Sequence, residues 1–146
     1  MNVAKSYQSL HENCIFFGGA SDVETMIKEE GIQVIVDLRG EATACADPEA
    51  DVEWIQIPLG DNTLESQDVL FKQAIDQVVS AYHDGKKVAL HCGGGKGRTG
   101  TVAAGVLISL GICDTIDDAE QVAKQIRSVI QIKPEQKEAL QKIYAK

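Results

Sequence analysis

The segment Ile32–Leu38, with the sequence IQVIVDL, is the feature that most restricts the fold of this 146-residue chain. It is rich in β-branched residues and almost continuously apolar, which is typical of a strand buried on both faces of a mostly parallel sheet. Strand-like and helix-like segments also alternate along the chain, and such alternation favours helices packed on both faces of the sheet. The sequence therefore predicts an α/β fold with a central, mostly parallel sheet flanked by helices on both faces.

The other elements are predicted from apolar runs, amphipathic periodicity and turn residues. The approximate ranges are Cys14–Gly19, Val52–Pro58 and Lys87–His91 for strands, and Ser21–Gly31, Ser66–His83, Thr101–Leu110, Thr115–Ile130 and Pro134–Tyr144 for helices. Val69 is assigned to the apolar stripe of the long second helix. No internal repeat, low-complexity run or linker interrupts the chain, so a single domain over residues 1–146 is expected.

The charge balance limits the partners that this chain can have. It has 14 Lys and Arg against 22 Asp and Glu, a net charge of −8. Nucleic-acid binders and membrane-surface modules normally present an excess of basic residues, so neither nucleic acid nor a membrane is expected as a partner. The sequence has no run of 18 consecutive apolar residues, so no membrane span is expected. The first residues lack the pattern of a signal peptide. The expected location is the cytoplasm.

The four cysteines do not form a metal-binding or redox motif. They are Cys14, Cys45, Cys92 and Cys113. No two of them are in a C-x-x-C pair, and the three histidines lack ligand spacing, so reduced thiols and no metal or other cofactor are expected. Cys14 and Cys113 are interpreted as core residues.

The segment His91–Thr101, with the sequence HCGGGKGRTGT, carries the chemistry. It lies between a predicted strand and a predicted helix, at the kind of sheet edge where α/β proteins bind ligands. A nucleotide P-loop would need Ser or Thr directly after the lysine, whereas Gly97 follows Lys96. The spacing that does fit is C-x5-R, from Cys92 to Arg98.

Each part of the C-x5-R segment favours the binding of a phosphate. Glycines allow backbone N–H groups to converge on a tetrahedral anion, and an arginine can add a two-point pair to its oxygens. The predicted phosphate-binding residues are Gly93, Gly94, Gly95, Lys96, Gly97 and Arg98. The same groups, with the N-terminus of the following helix, stabilise a thiolate at Cys92 and lower its pKa. Cys92 is therefore the predicted nucleophile.

On these residues the chain resembles the cysteine-dependent protein tyrosine phosphatases, and most closely their small dual-specificity branch. The loop matches the family signature H-C-x5-R-[ST] without a gap, and the similarity extends from about Ile15 to Gln136. CIFFGGASDVETMIKEEGIQVIVDLRG is similar to the opening strand, helix and second strand of that branch, and VEWIQIPLGD to the strand before the acid loop. The resemblance implies hydrolysis of phosphotyrosine, with phosphoserine and phosphothreonine as further candidates, through a phospho-cysteine intermediate.

The resemblance also implies a general acid at Asp61, which precedes Cys92 by 31 residues. Pro58-Leu59-Gly60-Asp61 stands where other branches have W-P-D, and a poor leaving group requires such a proton donor. A plain turn at Asp61 is the alternative interpretation, because Asp and Asn favour turns. Asp51 and Asp68 are weaker candidates for the acid.

Further residues match supporting positions of the family. Thr99 matches the hydroxyl residue that helps the thiolate to leave, and it is also an ordinary residue for a helix start. His91 matches the residue that holds the loop, and Gln136 matches the glutamine before the last helix, where a helix-start role is equally plausible. Asp37 and Arg39 are interpreted as a structural ion pair. Cys45 is a free thiol or, under oxidation, a disulfide partner of Cys92.

Two alternatives to a protein phosphatase remain open. The stretch GKGRTG is similar to the loop of phosphoinositide phosphatases, although those usually have a lysine where this chain has Gly93. An inactive phosphate-binding interaction module is the alternative from another class, but such modules typically lose the cysteine, the arginine or the acid. The expected substrate is therefore a phosphorylated protein or a small phosphomonoester.

Overall fold

The computed structural model describes residues 6–47, 49–59 and 67–144. These residues form five strands and five helices, with a short 3-10 turn at Ala20–Asp22. The strands are β1 Gln8–His11, β2 Ile15–Gly19, β3 Val34–Asp37, β4 Glu53–Gln56 and β5 Val88–Cys92. The helices are α1 Val23–Glu30, α2 Gln67–His83, α3 Gly97–Ser109, α4 Ile116–Ile126 and α5 Pro134–Ile143.

The five strands form one sheet in the order β1-β2-β5-β3-β4. Only the β1–β2 pairing is antiparallel, and the other three pairings are parallel. The mostly parallel α/β sheet predicted from the sequence is therefore confirmed. β1 was not predicted; it joins β2 through a tight turn in which Glu12 and Asn13 adopt positive φ angles of 53° and 55°.

Neighbouring residues of a strand point to opposite faces of the sheet, and here both faces are buried. Phe16, Ile35 and Ala89 pack with α1 on one face. Phe17 and Leu90 belong to the larger cluster on the other face, which also contains residues of α2, α3, α4 and α5. This arrangement confirms that helices flank the sheet on both faces, and it explains why IQVIVDL has no polar alternation.

The long helix α2 was predicted with one error on its apolar stripe. Val69 is 46% exposed, whereas Phe71, two residues later, is buried in the core. The helix turns about 100° per residue, so the face that packs on α3 contains Phe71 and Ile75 rather than Val69. Ile75 lies so close to α3 that any side chain at Gly105 would overlap it.

Two helix boundaries differ by four residues from the predicted ones. α3 begins at Gly97 instead of Thr101, so that Arg98 and Thr99 lie in its first turn. α4 ends at Ile126 instead of Ile130, and Arg127 leaves the helix with φ −130° and ψ 100°. The glycines before Thr101 disfavour a helix, and no helix-stopping residue follows Ile126, so local preference predicts both boundaries wrongly. Tertiary contacts at both places override that preference. No helix in the described ranges is long and apolar enough to cross a membrane.

Candidate active site

The catalytic candidate lies at the carboxyl end of the central strand. Cys92 is the last residue of β5, and α3 begins five residues later at Gly97, so the four-residue loop 93–96 turns tightly from strand to helix. The N-terminus of α3 presents its free N–H groups and positive dipole end to this loop. Strand, loop and helix thus bring the C-x5-R residues together, as the sequence predicts.

The thiol of Cys92 is buried, with 4% of the residue exposed, and is surrounded by donors. The Thr99 hydroxyl donates to the sulfur at 3.0 Å, and the Gly95 backbone N–H lies 3.2 Å from it. Burial alone raises the pKa of Cys92, but the hydrogen bonds of Thr99 and Gly95 and the charge of Arg98 outweigh it. The pKa is therefore lower than that of an ordinary thiol, and the thiolate is favoured.

The glycines of the loop have distinct structural tasks. Gly95 has a φ of 70°, and a Cβ at this position would overlap the backbone of Gly18. Gly93 and Gly94 are exposed, so the mouth of the loop is open to solvent. Lys96 is also exposed and stands directly before α3. The loop thus has a closely packed back and an open front, as a site for an anion requires.

The guanidinium of Arg98 is held along one edge by three protein groups. Its Nη1 donates to the carbonyls of Leu38 at 3.2 Å and of Leu59 at 3.1 Å. Nη1 and Nη2 also donate to the two carboxylate oxygens of Glu41, at 2.9 and 3.2 Å. The Glu41 hydrogen bond is the main reason that the pKa of Arg98 is raised, and the Cys92 thiolate adds to it. An arginine can also bind two oxygens of a phosphate through the edge formed by Nε and Nη2.

Glu41 is a site residue that sequence reasoning missed. Its side chain is 61% exposed, and Arg98 lowers the pKa of its carboxyl group. The loop that carries it is fixed by Gln56, which donates to the carbonyls of Arg39 and Ala42 at 2.8 and 2.7 Å. No local pattern marks this glutamate, because its partner lies 57 residues further along the chain.

Asp37 and Arg39 form the structural pair that the sequence predicts. Arg39 donates to the two oxygens of Asp37 at 2.9 and 2.8 Å, and Trp54 donates to the same carboxylate at 2.9 Å. Burial raises the pKa of Asp37, but on balance the pKa is lowered, chiefly by the hydrogen bonds from Arg39 and Trp54. An ionised carboxylate is thus fixed at the end of β3, where it holds the loop that leads to Glu41.

His91 is fully buried next to this carboxylate and is neutral. Its Nδ1 lies 3.1 Å from the carbonyl of Cys92 and must donate to it, because a carbonyl only accepts. Burial lowers the pKa of His91, more than the carboxylate of Asp37 raises it. Its Nε2 has no hydrogen-bond partner among the described residues and lies 3.8 Å from Asp37. His91 therefore holds the loop backbone and does not supply a proton to the thiol.

Gln136 caps the last helix and also touches the catalytic loop. Its Oε1 accepts a hydrogen bond from the Lys133 backbone at 2.9 Å, which is the helix-start role that the sequence left open. The same side chain packs on Gly97, where a Cβ would come within 3.1 Å of it. The hydroxyl of Thr101 lies between these two residues, 2.8 Å from the Gly97 carbonyl and 3.4 Å from the Gln136 oxygen.

The predicted general acid, Asp61, lies outside the described residues. Of the two weaker candidates, Asp51 lines a cavity of about 420 Å³ at the amino edge of the sheet, together with Val34 and Lys86. Cys92 is at the carboxyl edge, so Asp51 is on the wrong side of the sheet to act as its acid. Asp68 lies in the first turn of α2, which begins at the carboxyl edge.

The four cysteines are free, and Cys45 packs against the cluster that faces α1. No group of three or more His, Cys, Asp or Glu within the described part of the chain could hold a metal ion. What the site offers is a lowered-pKa thiol, inward-facing amide groups and a forked cation. These are the requirements for attack on a bound phosphoryl group.

Comparisons with known proteins found a matching family and solved structures with a similar fold. The family model of the dual specificity phosphatase catalytic domain matches residues 15–146. A comparison with curated proteins found no match.

Solved structures share the fold along almost the whole chain. DUSP15 superposes with a TM-score of 0.82 at 16% identity, covering 97% of this chain and 90% of that chain. PTPMT1 in complex with PI(5)P has a TM-score of 0.77 at 20% identity, with coverages of 94% and 93%. The human tyrosine phosphatase-like serine/threonine/tyrosine-interacting protein has a TM-score of 0.79 at 18% identity, with coverages of 97% and 97%. At identities this low, the superpositions establish a shared fold and nothing further.

Proposed function

The chain belongs to the dual specificity phosphatase catalytic domain family, and from that premise we propose that it hydrolyses phosphotyrosine, with phosphoserine and phosphothreonine as further substrates. The observation that carries the proposal is the convergence on one sulfur of the Thr99 hydroxyl, the Gly95 N–H and the charge of Arg98. This combination keeps a nucleophile ionised inside a site for an anion. A structural thiol would need none of these groups.

The reaction proceeds in two steps through a covalent intermediate. The Cys92 thiolate attacks phosphorus, the bond between phosphorus and the substrate oxygen breaks, and the leaving oxygen takes a proton from Asp61. A water molecule then attacks the phospho-cysteine and gives its proton to Asp61, which releases inorganic phosphate and the thiolate. Arg98 and the loop amides stabilise the charge on the phosphoryl oxygens. Thr99, which already donates to the sulfur, stabilises the departing thiolate.

Support for Asp61 as the acid comes from the residue that leads into its segment. The carbonyl of Leu59 accepts hydrogen bonds from Arg98 at 3.1 Å and from the Gly40 backbone at 2.9 Å. Leu59 is the last described residue before Asp61, and it lies beside the arginine that is proposed to bind the phosphate.

Asp61→Asn is expected to lower kcat by about 10²-fold or more for phenyl phosphate, because general acids contribute roughly 10²–10⁴-fold. The loss should be much smaller for nitrophenyl phosphate, whose leaving oxygen needs little protonation. The alkaline limb of the kcat/KM profile should flatten, because that limb reports loss of the acid's proton. Steady-state kinetics with both esters across pH provide the measurement.

Two other carboxyl groups serve as comparisons for Asp61. Asp51→Asn, at the amino edge of the sheet, should leave both the rate and the pH profile unchanged. Asp68→Asn tests the weaker candidate in the first turn of α2. A flattened alkaline limb in Asp68→Asn, with a normal profile in Asp61→Asn, would transfer the role of the acid to Asp68.

The proposed function is tested with the purified full-length chain after treatment with a chelator. The chain should hydrolyse phosphotyrosine peptides without added metal, with matched phosphoserine and phosphothreonine peptides and PI(5)P vesicles as the other arms. Cys92→Ser is the blank in every arm. Release of inorganic phosphate from peptides supports the proposal, and a strict metal requirement in wild type would contradict it.

The other arms decide between the alternatives. PTPMT1, which was solved with PI(5)P, makes a phosphoinositide the second candidate. The net charge of −8 and Gly93 at the position after the nucleophile both oppose an acidic membrane substrate. Hydrolysis of PI(5)P alone would replace the peptide assignment. Binding of phosphopeptide without turnover in any arm would instead identify an interaction module.

A further inference from the structure

A buried arginine from a distant helix lies directly behind the catalytic loop. Arg127 follows the last residue of α4 and is only 7% exposed. Its Nε donates to the carbonyl of Gly95 at 2.8 Å, and its Nη2 lies 3.4 Å from the carbonyl of Gly94. A buried guanidinium keeps its charge, and it is retained at such a cost only when its donors are used.

The carbonyls behind the loop determine where the amides in front of it point. In a planar trans peptide the C=O of one residue and the N–H of the next point in opposite directions. Arg127 holds the Gly94 carbonyl at the back, and the N–H of Gly95 accordingly faces forward, 3.2 Å from the sulfur of Cys92. By the same rule, holding the Gly95 carbonyl turns the N–H of Lys96 toward the front.

The neighbouring peptide is fixed in the same way by a different group. The backbone N–H of Ala20 donates to the Gly93 carbonyl at 3.0 Å, which turns the N–H of Gly94 forward. Gly19 permits this contact, because a Cβ there would come within 3.0 Å of the same carbonyl. Three consecutive carbonyls are thus held from behind, two of them by Arg127.

The guanidinium of Arg127 is itself anchored on its far side. Its Nη1 donates to the backbone carbonyl of Ser6 and, at 2.9 Å, to the side-chain oxygen of Gln8. These acceptors belong to β1 and the residues before it, at the edge of the sheet. The guanidinium therefore spans from β1 to the loop and cannot shift without losing a partner at one end.

We propose that Arg127 is a positioning residue for catalysis, which orients the amides of Gly95 and Lys96 toward the thiolate and the bound phosphoryl group. The catalytic role of Arg127 rests on the proposed function. The orientation of the two amides rests on the geometry of the loop 93–96. Arg127 does not touch the substrate; it acts through the two peptide planes that it holds. Among the described residues, the charges of Arg98 in α3 and of Arg127 just after α4 both interact with the thiolate, and the neutral His91 of β5 adds no charge.

The test compares Arg127→Met, which keeps much of the volume without donors, with Arg127→Lys, which keeps the charge and one donor position. The pKa of Cys92 is read from the ultraviolet absorbance of its thiolate, as the difference from Cys92→Ser in each background. The affinity for tungstate, a tetrahedral dianion, is measured by calorimetry. We expect a raised thiol pKa and a 10- to 100-fold weaker tungstate affinity in Arg127→Met, the range typical of outer-shell partners.

The result in Arg127→Lys should be intermediate, and kcat/KM should fall in the same order. Lys124→Met, which changes an exposed residue of α4 three positions before Arg127, is the matched control and should behave as wild type. Circular dichroism and thermal melting identify variants that do not fold. If Arg127→Met does not fold, the decision rests on Arg127→Lys.

A folded Arg127 variant with the wild-type thiol pKa and tungstate affinity would overturn the inference, even if its melting temperature were lower. Lower stability alone would mean that the arginine only fills the space behind the loop. Neither measurement requires turnover. If wild type hydrolysed no phosphate ester, the proposed function would fail, while the titration and the tungstate affinity would still decide the role of Arg127.

Discussion

Cys92→Ser is expected to reduce turnover of every phosphate ester by at least about 10⁴-fold, the scale seen when an enzyme loses its nucleophile. A serine hydroxyl is not ionised near neutral pH, so the donors that lower the pKa of the thiol cannot produce a comparable nucleophile in the variant. The binding of tungstate should survive, because the loop amides and Arg98 remain. Loss of turnover with retained anion binding separates chemistry from folding.

The covalent intermediate offers a direct measurement of the same claim. Acid quenching of wild type during turnover should leave phosphate attached to Cys92, detected by mass spectrometry of the peptide. Cys113→Ala is the matched control, since that thiol is also buried but burial raises its pKa. It should keep wild-type activity. Turnover above one part in a hundred in Cys92→Ser would show that the nucleophile lies elsewhere.

Arg98→Lys is expected to lower kcat/KM by about 10²–10³-fold, which is the cost of removing a preorganised donor to a developing oxyanion. Lysine is a single-point cation and cannot present two parallel donors to phosphate oxygens. An ammonium group held by Glu41, Leu38 and Leu59 in place of Nη1 would also have no N–H left for the phosphate. Steady-state kinetics and tungstate calorimetry measure the two consequences.

Lys96→Gln separates the forked geometry of Arg98 from simple positive charge. Lys96 is in the same loop, but it is exposed and therefore screened by salt. Its loss should weaken kcat/KM less than Arg98→Lys does, and the difference between Lys96→Gln and wild type should shrink as salt increases. Equal losses in the two variants would mean that charge alone, without a two-point pair, accounts for phosphate binding.

The parts of the fold that could be predicted are those encoded by neighbouring residues. The buried strand IQVIVDL became β3, and the glycine predicted to end the first helix is Gly31, with a φ of 70°. The order of strand, cysteine, glycine loop and arginine placed the candidate site at the correct edge of the sheet. These signals are local, since each depends on a few consecutive side chains and on backbone preferences.

The parts that could not be predicted depend on contacts between distant residues. Arg127 donates to the carbonyl of a residue 121 positions away, and Glu41 pairs with an arginine 57 positions away. Nothing adjacent to either residue distinguishes it from an ordinary surface charge. β1 was missed for a similar reason, because an edge strand of four residues takes most of its stability from the strand beside it.

The boundary errors have the same physical origin. Glycine is a poor helix former, so the run before Thr101 predicts a loop. α3 nevertheless begins at Gly97, because contacts of Arg98 with Glu41 and of Thr99 with Cys92 fix its first turn. α4 stops early because Arg127 turns to bury its guanidinium behind the catalytic loop. Tertiary contacts and burial, which local preference does not include, decide both positions.

The central place of β5 has a consequence for the order of folding. This strand pairs with β2 and β3, both of which precede it by long stretches of chain. The loop after it is held by Ala20, which comes far earlier in the sequence, and by Arg127, which comes later. Contacts of such large separation form slowly, because the loop-closure entropy must be overcome first. No partly folded chain of local helices and hairpins contains the anion site. We expect catalytic competence to be acquired only with the final, global step of folding.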